Sequence, residues 1–332
     1  AEDTSDYRKA YRSLKDISVL YEDENILLLN KPAGVLTQKA KPEDLSLNEW
    51  LIGHLLAADA IKETDLATFH PSVCNRLDRN TSGIVLCGKT LAGSQALSRI
   101  IKDRSVKKYY QTVCKGKILQ ESTLEGYLYK DERTNTVQVF PDMAEAPEDA
   151  SFIKTIYTPS AVAGEYTLLT VELVTGKTHQ IRAHLAGAGH PLLGDTKYGD
   201  SKLNRRMQSE YSLHHQLLHA GRVCFPEEAE GPLAKVSCQT FDAPLPHKFA
   251  EILHEKYAEA GLALIQKIPT PITPVKMDKE SRQITLAFFE QKSTVDYIGV
   301  VQGIPVCFDA KECAVDTFSL QNIHPHQVEF MH

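Results

Sequence analysis

Two short segments carry residue types that do chemistry. In Asn75-Arg76-Leu77-Asp78-Arg79-Asn80-Thr81-Ser82-Gly83, one carboxylate sits between two guanidinium groups. Flanking cations keep a carboxylate available to attack an electrophile or to stabilise a developing positive charge. Thr81, Ser82 and Gly83 form a compact turn whose amides are suited to fixing it. A capped turn in which Asp78 bonds only its own backbone would use the same residues. The second segment is Thr175-Gly176-Lys177-Thr178-His179-Gln180-Ile181-Arg182-Ala183-His184-Leu185, after a strand-like run at 168–174. Thr178 is the expected N-cap, and Ile181 with Leu185 share one helical face, which turns Gln180, Arg182 and His184 elsewhere. Free amides beside Arg182 suit an anion, either a phosphate or a carboxylate such as Asp78. An ordinary amphipathic helix with an exposed arginine has the same pattern. A third stretch, Gly189 to Asp195 with Lys197-Tyr198-Gly199-Asp200, is dense in glycine and reads mainly as a structural turn.

Positioning these segments requires a sheet. Val19–Tyr21 and Ile26–Leu29, split by Glu22-Asp23-Glu24-Asn25, predict a hairpin, and Pro32-Ala33-Gly34 then makes a tight turn with Lys31 at its mouth. Residues 45–58 and 91–101 have helical spacing and predict core-facing helices. Further strands are expected at 84–87, 109–114, 137–140, 153–157, 168–174, 223–225 and 236–241. Short polar turns between strand runs favour antiparallel pairing. Regular strand–helix alternation is absent, so the expected class is α+β, with helices against a mixed, curved sheet. A helix over 248–260 precedes three prolines within Ile268–Pro274, which is linker chemistry. Strand-like runs at 284–289 and 297–301 follow. The expected organisation is an N-terminal segment 1–16, a catalytic body 17–261 and a strand-rich extension 262–332.

Charge is distributed unevenly. The net value is −6, yet residues 71–120 hold ten Lys/Arg against two Asp/Glu, between acidic stretches at 1–70 and 121–150. Arg99, Lys102, Arg104, Lys107, Lys108, Lys115 and Lys117 form either a solvated face or a phosphate track. Apolar runs such as Ile26-Leu27-Leu28-Leu29 fall far short of the roughly 20 residues that cross a bilayer, so no membrane partner is expected. Seven cysteines, odd in number and without a C-x-x-C pair, argue against disulfides and structural zinc and for a reducing cytoplasm. Ala rather than Met at position 1 fits a chain processed or trimmed upstream.

Taken together, Asn30-Lys31-Pro32-Ala33-Gly34, the 76–83 motif, Thr178 to Leu185 and Gly189 to Asp195 resemble, in order, the motifs of the RluA-type pseudouridine synthases. Leu218-His219-Ala220 and Asp242-Ala243-Pro244-Leu245-Pro246 resemble the closing segments, so the likeness spans about residues 17–256. The resemblance implies a mixed, largely antiparallel sheet with a central RNA-binding cleft, and isomerisation of uridine to pseudouridine in structured RNA, ribosomal or transfer. It implies Asp78 as the catalytic aspartate, Arg182 as its partner, and Tyr110 as the tyrosine of a K-x-Y motif, with Tyr109 as the adjacent alternative. Arg76 is the candidate to fill the stack vacated by a flipped base. Lys31, Arg79, Arg104, Lys107, Lys108, Lys177, His179 and Gln180 are the remaining candidate RNA contacts. No metal or cofactor is implied, and the expected enzyme is a monomer that acts on RNA rather than DNA.

Asn75 and Lys177 depart from the family's usual histidine and arginine, which bears on substrate selection. No S4-like RNA-binding module is visible, so target recognition is expected from the extension or from a module upstream of Ala1. Two other readings compete. The i, i+4 pair His215/His219 has metal-ligand spacing, although Gln216 stands where a metalloprotease has its glutamate. A non-catalytic RNA-binding or assembly factor would carry the same basic track. Cys74 and Cys87 flank the first motif in apolar surroundings and read as packing residues.

Overall fold

The computed structural model describes residues 4–259 and, beyond them, the backbone of five strands between 263 and 308. Helix α1 (Ser5–Ser13) leads into strands β1 (Ser18–Glu22) and β2 (Ile26–Lys31), then helix α2 (Leu47–Ala57). Strand β3 (Ser72–Val73) precedes β4 (Ser82–Gly88), α3 (Leu91–Lys102) and β5 (Lys107–Lys115). Four strands form an antiparallel set: β6 (Ser122–Asp131), β7 (Thr136–Phe140), β8 (Ser151–Ala163) and β9 (Tyr166–Leu173). Helices α4 (Gln180–Gly187) and α5 (Ser201–Tyr211) come next, followed by β10 (Leu218–Cys224), β11 (Thr240–Asp242) and α6 (His247–Glu259).

These eleven strands make one sheet in the order β1-β2-β4-β10-β5-β9-β8-β6-β7, with β3 on β4 and β11 on β10. Every pairing is antiparallel except β4 with β10, which meet in parallel through His219↔Ser82 and Ala220↔Gly83 alone. The mixed, antiparallel-dominated α+β architecture is therefore as expected. Gly83 is required at that seam. Its φ is +116°, and a Cβ would lie 2.2 Å from the carbonyl oxygen of Ala220.

The alternation of β2 explains why the sheet is covered on both faces. Leu27 and Leu29 pack with Trp50, Leu51 and Leu55 of α2 and with Ile181 and Leu185 of α4. Ile26 and Leu28 turn the opposite way, to Leu97 and Ile100 of α3. All four are fully buried, so period-two geometry distributes one apolar run between two helical layers.

One strand expectation is corrected. Residues 231–236 form a 3-10 turn with Pro232 as its second residue, and Cys238 has φ 57°, so extended pairing begins only at Thr240.

Contacts divide the chain into Ala1–Ala250, which includes α1, and Glu251–His332. In the second unit, β12 (Ala263–Lys267), β15 (Tyr297–Val301) and β16 (Ile304–Phe308) form an antiparallel sheet, and β13 (Ile272–Met277) pairs with β14 (Ile284–Phe289). Of the proline run, 268–271 lie outside the described residues, and Ile272 to Pro274 open β13. Among the described residues, no helix is long and apolar enough to cross a membrane.

Candidate active site

Asp78 lies on the loop that enters β4, and the backbone on either side of it is clamped. Thr37 Oγ1 accepts the amide of Leu77 at 3.1 Å and donates to its carbonyl at 2.8 Å. On the other side, the carbonyl of Arg79 accepts the Gly34 amide and the Lys31 ammonium, both at 2.9 Å. Lys31 also donates to the carbonyls of Val35 and Pro32, at 2.7 and 3.1 Å. Its side chain is fully buried. This corrects the expectation that Lys31 stands at the turn's mouth to meet RNA: its three protons are spent on three carbonyls, binding the 32–35 turn to the Asp78 loop. Burial pushes its pKa down to about 7, against the upward pull of Asp78. The turn chemistry is corrected too. The Thr81 amide bonds the backbone carbonyl of Asp78, not its carboxylate, and Ser82 and Gly83 already belong to β4.

Arg182 reaches this loop from α4. Its NH1 donates to Asp78 Oδ2 at 3.0 Å, and the two residues are 104 positions apart. The rest of the guanidinium is held by a residue the sequence did not single out. Nε and NH2 bond Asp195 Oδ2 and Oδ1 at 2.7 and 2.9 Å, a bidentate pair in which the Asp195 side chain is 1% exposed. Burial raises the pKa of Asp195, but the Arg182 bonds and charge, with the amides of Tyr198 and Lys197, more than offset this and hold it low. A lone acid in a glycine-fixed loop was the available signal. The arrangement is a buried Asp195 that aims an arginine at a quarter-exposed Asp78.

Tyr198 and His179 complete the cluster. The Arg182 guanidinium lies 5.2 Å from the Tyr198 ring centroid. Tyr198 OH accepts the Val137 amide at 2.9 Å and meets His179 Nδ1 at 2.8 Å. The other ring nitrogen of His179, Nε2, lies 3.9 Å from Asp78 Oδ2. Tyr110, on β5, is 6% exposed; burial first and then the Asp78 charge raise its pKa, so it is a phenol at neutral pH. Strand alternation sends Tyr109 to the opposite face.

Other expected contacts are sorted by burial. Arg76, Arg79, Arg104, Lys107 and Lys177 are exposed, and Lys108 is half-buried. Gln180 is not available to RNA, because it is buried and its amide bonds Thr175, Thr155 and the Lys154 carbonyl. Thr178 is not the cap: α4 starts after His179, which has φ 55° and makes no side-chain cap. Nor do His215 and His219 share a helix face, since no helix spans them. His219 lies on β10 with its ring between Ser82 Oγ and the Ala243 carbonyl.

Burial lowers the pKa of His179, His184 and His219 below the ordinary histidine value. An unfolded chain therefore binds protons below about pH 6.5 that the folded chain refuses, so stability is lost as pH falls from there through the lowered folded values. Each histidine contributes a slope of at most about 1.4 kcal/mol per pH unit. Urea unfolding midpoints are expected to drop between pH 7 and pH 5, with a shallower drop in His219→Gln; a flat profile contradicts the assignment.

The solved structure of the human RNA pseudouridylate synthase domain containing 4 superposes with a TM-score of 0.58 at 20% identity, covering 75% of this chain and 96% of its own. The fold is thus of the pseudouridine synthase class. Residues 25–187 match the family model described as RNA pseudouridylate synthase. An uncharacterised RNA pseudouridine synthase of Mycoplasma pneumoniae is 33% identical over 244 residues, 72% of each chain. This chain belongs to the RNA pseudouridine synthase family, as the RluA-type motifs implied. The tRNA pseudouridine synthase C of Pectobacterium carotovorum is 27% identical over 246 residues, covering 72% of this chain; the chain spans only 62% of that relative's length. Residues 250–332 separately match a model described as Recombination protein U.

Proposed function

We propose that this chain isomerises uridine in structured RNA, transfer or ribosomal, to pseudouridine, working as a monomer in the cytoplasm. One observation carries the reading: the 3.0 Å bond between Arg182 and Asp78, brought together from distant segments beside a buried tyrosine. The reaction breaks the bond from uracil nitrogen to ribose, turns the base and rejoins it through carbon five, whose proton leaves to solvent while the freed nitrogen takes one up. Atoms and electrons balance between substrate and product, so the reading includes no cofactor. What it needs is one ionised carboxylate, a platform for the loose base, and exclusion of water. Asp78 is assigned as the attacking or charge-stabilising group, Arg182 as its orienting partner, and Tyr110 as the platform. Uridine is an RNA nucleoside, which sets DNA aside as substrate. The catalytic body is assigned to residues 17–261, and 262–332 to a separate role. Incubation with tRNA and rRNA carrying tritium at uracil carbon five tests the proposal: tritium is released to water, and no release from any RNA would reject it.

Arg76 is exposed next to Asp78, and its planar guanidinium suits the gap left by an extruded base. Arg76→Ala is expected to raise KM about tenfold while the unfolding midpoint stays put, in keeping with roughly 1–3 kcal/mol for a stacked contact. Unchanged turnover and affinity would exclude the stacking role.

A further inference from the structure

We infer that a cavity lined by Lys108, two residues before Tyr110 on β5, receives a phosphodiester flanking the target nucleotide, anchored by Lys108; this rests on the uridine-isomerising reading above. The cavity holds about 180 Å3, and its polar wall is Arg104, Lys107, Lys108 and Glu172, with Val106 and Leu173 among the apolar lining. Three cations and one carboxylate line it, so the space is electropositive. Its position follows from β5. Lys108 and Tyr110 are two residues apart, so their side chains leave the same face, about 7 Å apart along the strand. One nucleotide spans such a step.

The setting of Lys108 suits an anion. Its side chain is half-buried, yet among the described residues its ammonium has no hydrogen-bond or ion-pair partner. Lys31, Lys89 and Lys115, by contrast, each hold an oxygen at 2.7 Å. An ammonium withdrawn from water without a counter-charge is unfavourable, and burial accordingly lowers its pKa. A bound phosphate would relieve this. A Cβ on Gly176 would lie 3.6 Å from Lys108 Nζ, so the head group stands against the loop that continues to His179 and Arg182. Arg104 follows α3 with φ 63°, the left-handed position after a helix where glycine is usual. An arginine there places a guanidinium at the rim of the cavity at a conformational cost that an ordinary turn would avoid.

The test uses an RNA fragment that releases tritium with the wild-type chain, made in versions in which single phosphates near the target uridine are uncharged methylphosphonates. One flanking position is expected to raise wild-type KM about tenfold with kcat nearly unchanged. Lys108→Met is expected to raise KM by a similar factor on the unmodified RNA and to be insensitive to that methylphosphonate. Its slope of log affinity against log salt should fall by about one, as for one lost phosphate contact. Lys108→Arg, which keeps the charge, should retain most of the affinity and show that loss in the Met variant is not misfolding. If Lys108→Met responds to every methylphosphonate as the wild type does, or if the scan is flat in both because the pocket takes free phosphate instead, the inference is overturned while tritium release leaves the parent reading standing. No release from any RNA overturns both.

Discussion

Asp78→Asn is expected to abolish tritium release, on the order of 10⁴-fold or more, with little change in the unfolding midpoint. The size of the effect follows from what an amide lacks. It cannot form an ester-like bond to a sugar or base, and it carries no charge to balance a cation that develops as the glycosidic bond lengthens. The small stability change follows from the clamps. Thr37 holds the backbone of Leu77, and Lys31 and Gly34 hold that of Arg79, so the side chain at 78 changes without releasing its loop. The Asn oxygen still accepts the Arg182 proton. Asp78 is moreover a quarter exposed, so its pair with Arg182 adds little to global stability. Tritium release with the purified variant, alongside urea unfolding, checks both halves. Wild-type turnover in the variant would remove Asp78 from the chemistry. Lost turnover with every cellular role retained would instead favour an assembly factor whose modification step is secondary.

What the sequence disclosed and what it concealed have the same physical origin. The Asp78–Arg182 pair was legible through the resemblance to the RluA-type motifs, since the residues alone left Arg182 open to a phosphate or a carboxylate, and β2 was legible as a strand because a four-residue apolar run is bounded by turn residues, although its coverage on both faces was not. Lys31 and Gln180 were misread for one reason. Polarity predicts exposure only when a side chain lacks internal partners, and the carbonyls that satisfy these two lie 1, 4 and 48 residues away in the first case and 26 in the second. Helix α5 was missed because only Leu203, Met207 and Tyr211 face inward, a stripe too sparse to stand out among charged neighbours. Val236–Phe241 looked like a strand by composition, but Pro232 and a left-handed Cys238 bend it. Asp195 escaped notice because Arg182 already had a carboxylate assigned to it. A guanidinium has five donors, and here three of them serve two acids.

That shared guanidinium makes Asp195→Asn the second large effect. Asp195 bonds Arg182 rather than Asp78 or Tyr110; it is a positioning residue that acts through Arg182. Its two oxygens fix the plane of the guanidinium, and only with that plane fixed does NH1 point at Asp78. An Asn keeps one acceptor and turns an N–H group toward the other arginine donor. The buried Arg182 then loses half its anchor and most of its compensating charge, a change worth roughly 3–5 kcal/mol in buried pairs, so the urea midpoint should fall clearly. Turnover should fall further than stability alone explains. An arginine displaced by about 1 Å no longer orients the Asp78 carboxylate, and misplacement of that size costs about 10²-fold. The expected signature is a kcat lowered about a hundredfold at a temperature where the variant is fully folded, with KM nearly unchanged. In a double-mutant cycle, Asp195→Asn and Arg182→Lys should be strongly non-additive, because a lysine cannot bridge both acids. Full kcat in folded Asp195→Asn would show that Asp78 needs no aimed guanidinium, and additivity in the cycle would show that Asp195 and Arg182 act apart.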